Sequence, residues 1–361
     1  MTEIYTRKMN TVPQRLLKHG ILVSALLAVA FVVLCVACSG TSTAASSTSS
    51  TPPTTASRPC DVFGSTTPCV AAFSTTRALY ASYAGPLYQV TRSSDKTTLD
   101  IGLLSDGYAN AAAQDQFCAN TTCTITEIYD QSTNHNNLTV APPGGADQGL
   151  GPDGYDLPAI ANTLPVNAGG HKVYGISISP GMGYRNDKTT GIAVNGEPEG
   201  VYMVSSTINI NSGCCFDFGN AEVNNKDNGA GHMDAINLHC VGTSCSAIGG
   251  LDMENGIYGR LAVPAGLTFV TVMGANDGQK DYTIWQGNAQ SGTLTSTGLT
   301  PLPIGYSPMK QEGAIILGIG GDNSNRSSGY FFEGAMTQGV PSNTVMGNVQ
   351  QSIISAGYSG L

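Results

Sequence analysis

Seven strand-length apolar stretches, each closed off by turn residues, constrain this chain more than anything else in it. They cover residues 99–104, 124–129, 173–179, 200–210, 267–273, 282–285 and 314–319. Among them lie Asp106-Gly107, Pro142-Pro143-Gly144-Gly145, Asn195-Gly196 and Asn276-Asp277-Gly278. Gly and Asn tolerate positive φ and Pro fixes its own, so such clusters reverse the chain. Short runs punctuated in this way build a two-sheet sandwich or a barrel. The 45 glycines and a charged fraction of only 11% agree with an all-β chain dense in turns. Residues 111–117 are expected to form a short helix. Near the C-terminus Ser342 is placed to cap a second helix, in which Val345, Val349 and Ile353 recur every four residues. That helix would lie on the outside of the sandwich, with Gly347 weakening it.

The N-terminus reads as an export signal. Arg7, Lys8, Arg15 and Lys18 precede an apolar run over residues 21–37, and Cys38 follows, flanked by Ala37 and Ser39-Gly40. A positive lead, an apolar run and small residues predict a signal over residues 1–37. A cysteine directly after the cut predicts a bacterial lipoprotein with the lipid on Cys38, although Cys35 stands where a leucine is usual. The alternative is an uncleaved membrane anchor, since the run approaches the ~18 residues needed to span. Both place the remainder at or beyond the cell surface. Residues 38–58 are almost only Ser, Thr, Ala, Pro and Gly, a composition that forms a flexible tether. Residues 59–361 then form one domain, with no second linker and no internal repeat.

The whole chain carries a formal charge of −9. Residues 1–37 hold four of the basic residues and one acid, so the exported part carries −12. That excludes nucleic acid and anionic membrane surfaces as partners, because both require basic patches. A neutral ligand such as a glycan fits.

Apart from Cys35 and Cys38, eight cysteines remain, an even number suited to an oxidising compartment. Spacing pairs Cys60 with Cys69, Cys118 with Cys123, and Cys240 with Cys245, which leaves Cys214 and Cys215 to each other. Adjacent Cα atoms lie about 3.8 Å apart, whereas an ordinary disulfide takes roughly 5.5–6 Å. A bridge between neighbours therefore closes a tight eight-membered ring, a rigid apolar plate able to lie against a sugar face. Two free thiols, or pairing elsewhere, remain the alternatives. No other Cys or His stands at ligand spacing to this pair, so no metal site is expected.

Acids are scarce, which makes two settings informative. In Gly250-Leu251-Asp252-Met253-Glu254-Asn255-Gly256, a strand would put Asp252 and Glu254 on one face. Like charges so placed push one carboxyl to hold its proton, which separates acid and base roles. A solvated strand edge ending in the Asn255-Gly256 turn is the bland reading. The second setting is an apolar run, residues 314–319, ending in Gly320-Gly321-Asp322. Apolar neighbours favour a proton-donating acid there, and the glycines admit a ligand close to the backbone. A plain turn, or a calcium loop using Asp322, Asn323 and Asn325, is the alternative. His135 and His232 read as surface or hydrogen-bonded residues, and no Gly-x-Ser-x-Gly elbow is present.

Longer motifs extend these settings. They include Phe117-Cys118-Ala119-Asn120-Thr121-Thr122-Cys123, Tyr129-Asp130-Gln131-Ser132 and Cys214-Cys215-Phe216-Asp217-Phe218-Gly219-Asn220-Ala221-Glu222. Asp252-Met253-Glu254-Asn255 and residues 312–325 complete the set. Together they resemble glycoside hydrolase family 54, the B-type α-L-arabinofuranosidases, over nearly all of residues 59–361. The resemblance implies a concanavalin-like, jelly-roll type β-sandwich and a retaining mechanism without cofactor or metal. It puts the nucleophile on Glu254 and the acid/base on Asp322. Sugar-binding positions fall on Asp252, Asn255, the backbone of Gly321, Asp217 and a vicinal disulfide Cys214-Cys215. The expected activity is exo-removal of terminal arabinofuranose from arabinoxylan or arabinan, by a monomer. A non-catalytic lectin-like protein and a calcium-stabilised adhesin are the competing classes. Two departures stand out. The family's site tryptophan has no counterpart in the shorter stretch Leu238-His239-Cys240-Val241-Gly242-Thr243-Ser244-Cys245, where a Cys240–Cys245 bridge is expected to rebuild the wall. The family's C-terminal arabinose-binding module is expected to be absent.

Overall fold

A computed structural model describes residues 57–361. The expected signal, Cys38 and nearly all of the tether lie outside the described residues. Among the described residues, no helix is long and apolar enough to cross a membrane.

Two antiparallel sheets form the fold. One has seven strands, in the order Cys69–Ser74, Glu333–Gln338, Glu199–Ser205, Val270–Asn276, Asp281–Asn288, Ser291–Ser296, with Thr300–Pro301 also pairing Asp281–Asn288. The other has ten. Its first half runs Ile257–Ala262, Ser246–Asp252, Asp234–Val241, Asp217–Ala221, Ala314–Leu317. It continues through Tyr184–Asn186, Leu138–Val140, Cys123–Ile128, Tyr88–Arg92 and Thr98–Ile101. Glu199–Ser205 is buried at every position, as a central strand covered on both faces should be.

Pairing register decides what each face carries. Phe218 lies opposite Ile236 and Leu317, and Ile236 lies opposite Leu251. These four face inward, where Phe218 meets Phe73 of the other sheet edge-on at 6.1 Å and Phe331, of a separate two-stranded pair, at 5.4 Å. A side chain on Gly274 of the opposing sheet would meet Leu251 at 2.6 Å, so that glycine is what lets the sheets approach. Positions one residue along point the other way. Ala221, Met233, Ala235, Ala314 and Ile316 therefore form, with Ala141 and Ile319, a second apolar cluster on the outer face of the larger sheet. Asp252 shares that outward parity, opposite Ala235.

Residues 99–104 end as strand at Ile101 and residues 314–319 at Leu317, and three further runs change. Residues 173–179 divide at Gly175 into His171–Tyr174 and Ile176–Ile178, which pair with Pro165–Ala168 and Gly329–Phe331 respectively. Residues 200–210 stop being strand after Ser205, where Ser206 Oγ accepts from Ile208 N and Asn209 turns left-handed at φ 66°. The third, residues 267–273, starts late, as Val270–Asn276. Both expected helices form. Asn110 caps Ala111–Phe117, and Ser342 caps Asn343–Ile354, which buries Met346, Val349 and Ile353. That C-terminal helix packs beside Ser291–Ser296 and an unforeseen short helix, Pro59–Phe63.

Candidate active site

A pocket of about 360 Å³ opens at the end of the strands that carry the outward acids. Cys214, Cys215, Asp252, Glu254, Asn255, Gly321 and Asp322 line it, joined by Asp227, Met233 and Ser324. A larger cavity of 590 Å³ near Ile192 and Gln338 carries a single acid, Glu197.

Asp252 ends its strand, and the next four residues turn. Met253 N donates to Gly256 O at 3.1 Å, and Glu254 and Asn255 are both left-handed, at φ 65° and 58°. This is the backbone of a primed hairpin turn. The expectation that Asp252 and Glu254 share a strand face is therefore corrected: the turn, not the two-residue period, brings them together. Glu254 N donates to Asp252 Oδ1 at 3.0 Å, and Tyr306 Oη donates to Glu254 O at 2.8 Å. A left-handed non-glycine residue costs about 1–2 kcal/mol, so the fold holds Glu254 against its own preference, as functional positions often are.

Asp322 sits in the loop after Ala314–Leu317. Ser324 donates to Asp322 Oδ1 twice, from N at 3.0 Å and from Oγ at 2.6 Å. The neighbouring amides of Asn323 and Asn325 are turned away to Asp156 Oδ1, at 3.3 and 2.7 Å. Cys214 and Cys215 are bonded to each other. The ring is fixed to the same loop, since Cys215 N donates to Ser324 O at 3.0 Å and Arg326 N to Cys214 O at 2.9 Å. Cys215 is buried and Cys214 exposed, so the ring presents one edge outward. The other three expected bridges also form. Cys240–Cys245, however, does not line the pocket. Cys240 N donates to Asn211 O, which ties the hairpin tip to the segment leading into Cys214 and rebuilds no wall. Trp285 lies on the other sheet, where Nε1 donates to Asn343 at the C-terminal helix.

Asp217 lies beneath the pocket rather than in its lining. It is fully buried and accepts from Asn237 Nδ2 at 2.5 Å. Its carboxyl, the Asp252 carboxyl and Cys215 Sγ lie within 4.8 Å of one another, but the sulfur is engaged in the disulfide. Burial raises the acids here. Asp252 is pushed up to about 7, by burial and then by Glu222 and Asp322. Glu254 is pushed up to about 10, by burial and then by Glu222. Sequence reasoning gave Glu222 and Arg185 no role. Arg185 reaches under the loop, donating to Gly321 O at 2.6 Å and also to the main-chain oxygen of Glu222. Only their long-range pairing reveals them.

The catalytic-domain model of α-L-arabinofuranosidase B matches residues 59–359. The chain belongs to that family. It is 50% identical over 320 residues to α-L-arabinofuranosidase B of Aspergillus niger, covering 84% of this chain and 64% of that one. To α-L-arabinofuranosidase of Hypocrea jecorina it is 48% identical over 318 residues, covering 84% and 63%. The chain thus spans a little under two thirds of the length of these relatives. Among solved structures, a GH54 α-L-arabinofuranosidase soaked with a cyclic sulfate inhibitor superposes with a TM-score of 0.80 at 48% identity, covering 84% and 66%. An arabinofuranosidase complexed with arabinofuranosyl-α-1,2-xylobiose gives 0.79 at 47%, with the same coverage.

Proposed function

We propose that this chain is a retaining, exo-acting α-L-arabinofuranosidase that removes terminal arabinofuranose from arabinoxylan or arabinan. The observation that carries the reading is the pocket that gathers Glu254, Asp322 and the Cys214–Cys215 ring. Its volume is at the small end of the roughly 300–1,000 Å³ usual for ligand sites, which suits a single sugar residue. Glu254 attacks the anomeric carbon while Asp322 protonates the departing oxygen. Asp322 then takes a proton from water, which frees the sugar from Glu254 with its configuration retained. Asp252, Asn255 and the Gly321 backbone hold the sugar hydroxyls, and the sulfur ring backs its apolar face. The family's named activity and the complex with arabinofuranosyl-xylobiose support this choice of substrate.

The test is turnover of 4-nitrophenyl α-L-arabinofuranoside by wild type, Glu254→Ala and Asp322→Ala. Wild type should turn over; Asp322→Ala should lose roughly 10²–10⁴-fold, and Glu254→Ala should lose the covalent route altogether. Wild type that binds arabinan without turnover favours the lectin-like reading, and unfolding by a chelator favours the adhesin. Four disulfides suit an oxidising compartment, which supports export. Lipid on Cys38 completes that proposal, and intact-mass analysis of the cell-envelope form decides it.

A further inference from the structure

Glu222 follows the strand Asp217–Ala221 and takes no part in the mechanism above. It is 0% exposed, and neither of its carboxyl oxygens has a hydrogen-bond partner. Glu254 Oε2 is sealed and unpartnered in the same way. A methyl group on Gly321 would collide with Glu222 Oε2 and lie 3.2 Å from Glu254 Oε2, so both oxygens crowd the one Cα. Two ionised carboxylates are acceptors only. Left like this they would be buried like charges with no donor between them, an arrangement proteins avoid. One proton on the pair supplies the donor and removes one of the charges.

We infer that Glu222 is the positioning residue of the nucleophile: it keeps a proton and donates its O–H to Glu254 Oε2, holding Glu254 ionised with its other oxygen free for the anomeric carbon. The inference rests on the glycosidase reading above. Burial raises both carboxyls, so the pair retains a proton at neutral pH; their mutual contact raises Glu254 and lowers Glu222, and an ionised nucleophile requires the shared proton to sit on Glu222 instead. Of the surrounding charges, the Arg185 guanidinium favours an ionised Glu222. Arg185 gives its guanidinium to Asp187 and to the carbonyls of Gly321 and Glu222. Glu312 is engaged by His232 at 2.8 Å. Asp217, Asp252, Asp322 and, at the mouth, Asp227 are acids and favour a protonated neighbour. Protons balance through the cycle. When the other oxygen of Glu254 becomes the ester oxygen, Oε2 becomes the ester carbonyl and goes on accepting from Glu222.

The experiment compares Glu222→Gln, a neutral donor of the same shape, with Glu222→Leu, which fills the space without a donor. Glu222→Gln should keep kcat/KM close to wild type with an unmoved acid limb. Glu222→Leu should lose roughly 10- to 100-fold, the worth of one hydrogen bond to a charged group. Its acid limb should also move up by about one pH unit, since the ionised form loses its donor. A Gln variant as impaired as the Leu variant, or a Leu variant with an unmoved limb, overturns the inference. An inactive wild type would instead remove the glycosidase reading. Should either variant fail to fold, 13C spectra of carboxyl-labelled wild type decide: Glu222 should stay protonated at pH 7 with Glu254 ionised, and a protonated Glu254, or both carboxyls ionised, overturns it.

Discussion

Gly321 is the residue on which the pocket turns. A side chain there meets Glu222 and presses on Glu254. Gly321→Ala should therefore fold but displace Glu254, the proposed nucleophile, lowering kcat/KM by about 10²-fold, the usual result of misplacing a reacting group by an ångström. Steady-state kinetics on the aryl arabinofuranoside measure this, and a variant as active as wild type would refute it. Glu254 offers the converse test. Its left-handed backbone and buried acid both oppose folding, so Glu254→Gly should abolish activity yet raise unfolding stability by about 1 kcal/mol. A urea titration that shows lower stability would contradict the account of that turn.

Among the elements, the C-terminal helix is the simplest to probe. Nothing lies within 4 Å of a side chain built on Gly347, so Gly347→Ala should stabilise by about 0.5–1 kcal/mol. Ser342 Oγ accepts from Val345 N at 3.3 Å, and its loss to Ala should cost about 1 kcal/mol. Chemical denaturation of the two variants should shift the midpoint in opposite directions. Helix and sandwich alike were legible because burial imposes periods of 3.6 and 2 on the sequence. The turn at Glu254-Asn255 was not, because the Asn255-Gly256 pair signals a reversal one residue late, and the strand period was carried past Asp252. The break at Gly175 was equally hidden, since it depends on Phe332, distant in sequence and set between two strands. Glu222 looked like any acid at a strand end, because its partner Glu254 arrives from another hairpin. The cysteine pairs could be read because three of them close short loops.

At the scale of the whole molecule, two buried polar clusters join the layers. Arg77 holds Glu333 at 2.6 and 2.7 Å and the carbonyl of Ser352 at 3.1 Å, and Tyr358 donates to Glu333 at 2.7 Å. The C-terminal segment is thereby bound to the smaller sheet. Between the sheets, Glu199 and Asp234 are buried acids, and Asn220 donates to Glu199 at 3.0 Å. Burial raises both, Asp234 to about 7. The folded state then keeps protons that the unfolded chain releases above about pH 4, so this pair's contribution to stability falls as pH rises from about 4 to 7. Asp234→Asn should flatten that fall, by up to about 1.4 kcal/mol per pH unit. Melting temperatures at pH 5 and pH 7 give the slopes, and equal slopes would count against it. The acid-lined pocket carries a consequence for inhibitor design. With Asp227, Asp252, Glu254 and Asp322 around one sugar-sized space, its field attracts positive charge. A protonated pyrrolidine imitating the furanose ring should bind more tightly than arabinose itself, whereas an anionic uronate analogue of the same size should be turned away.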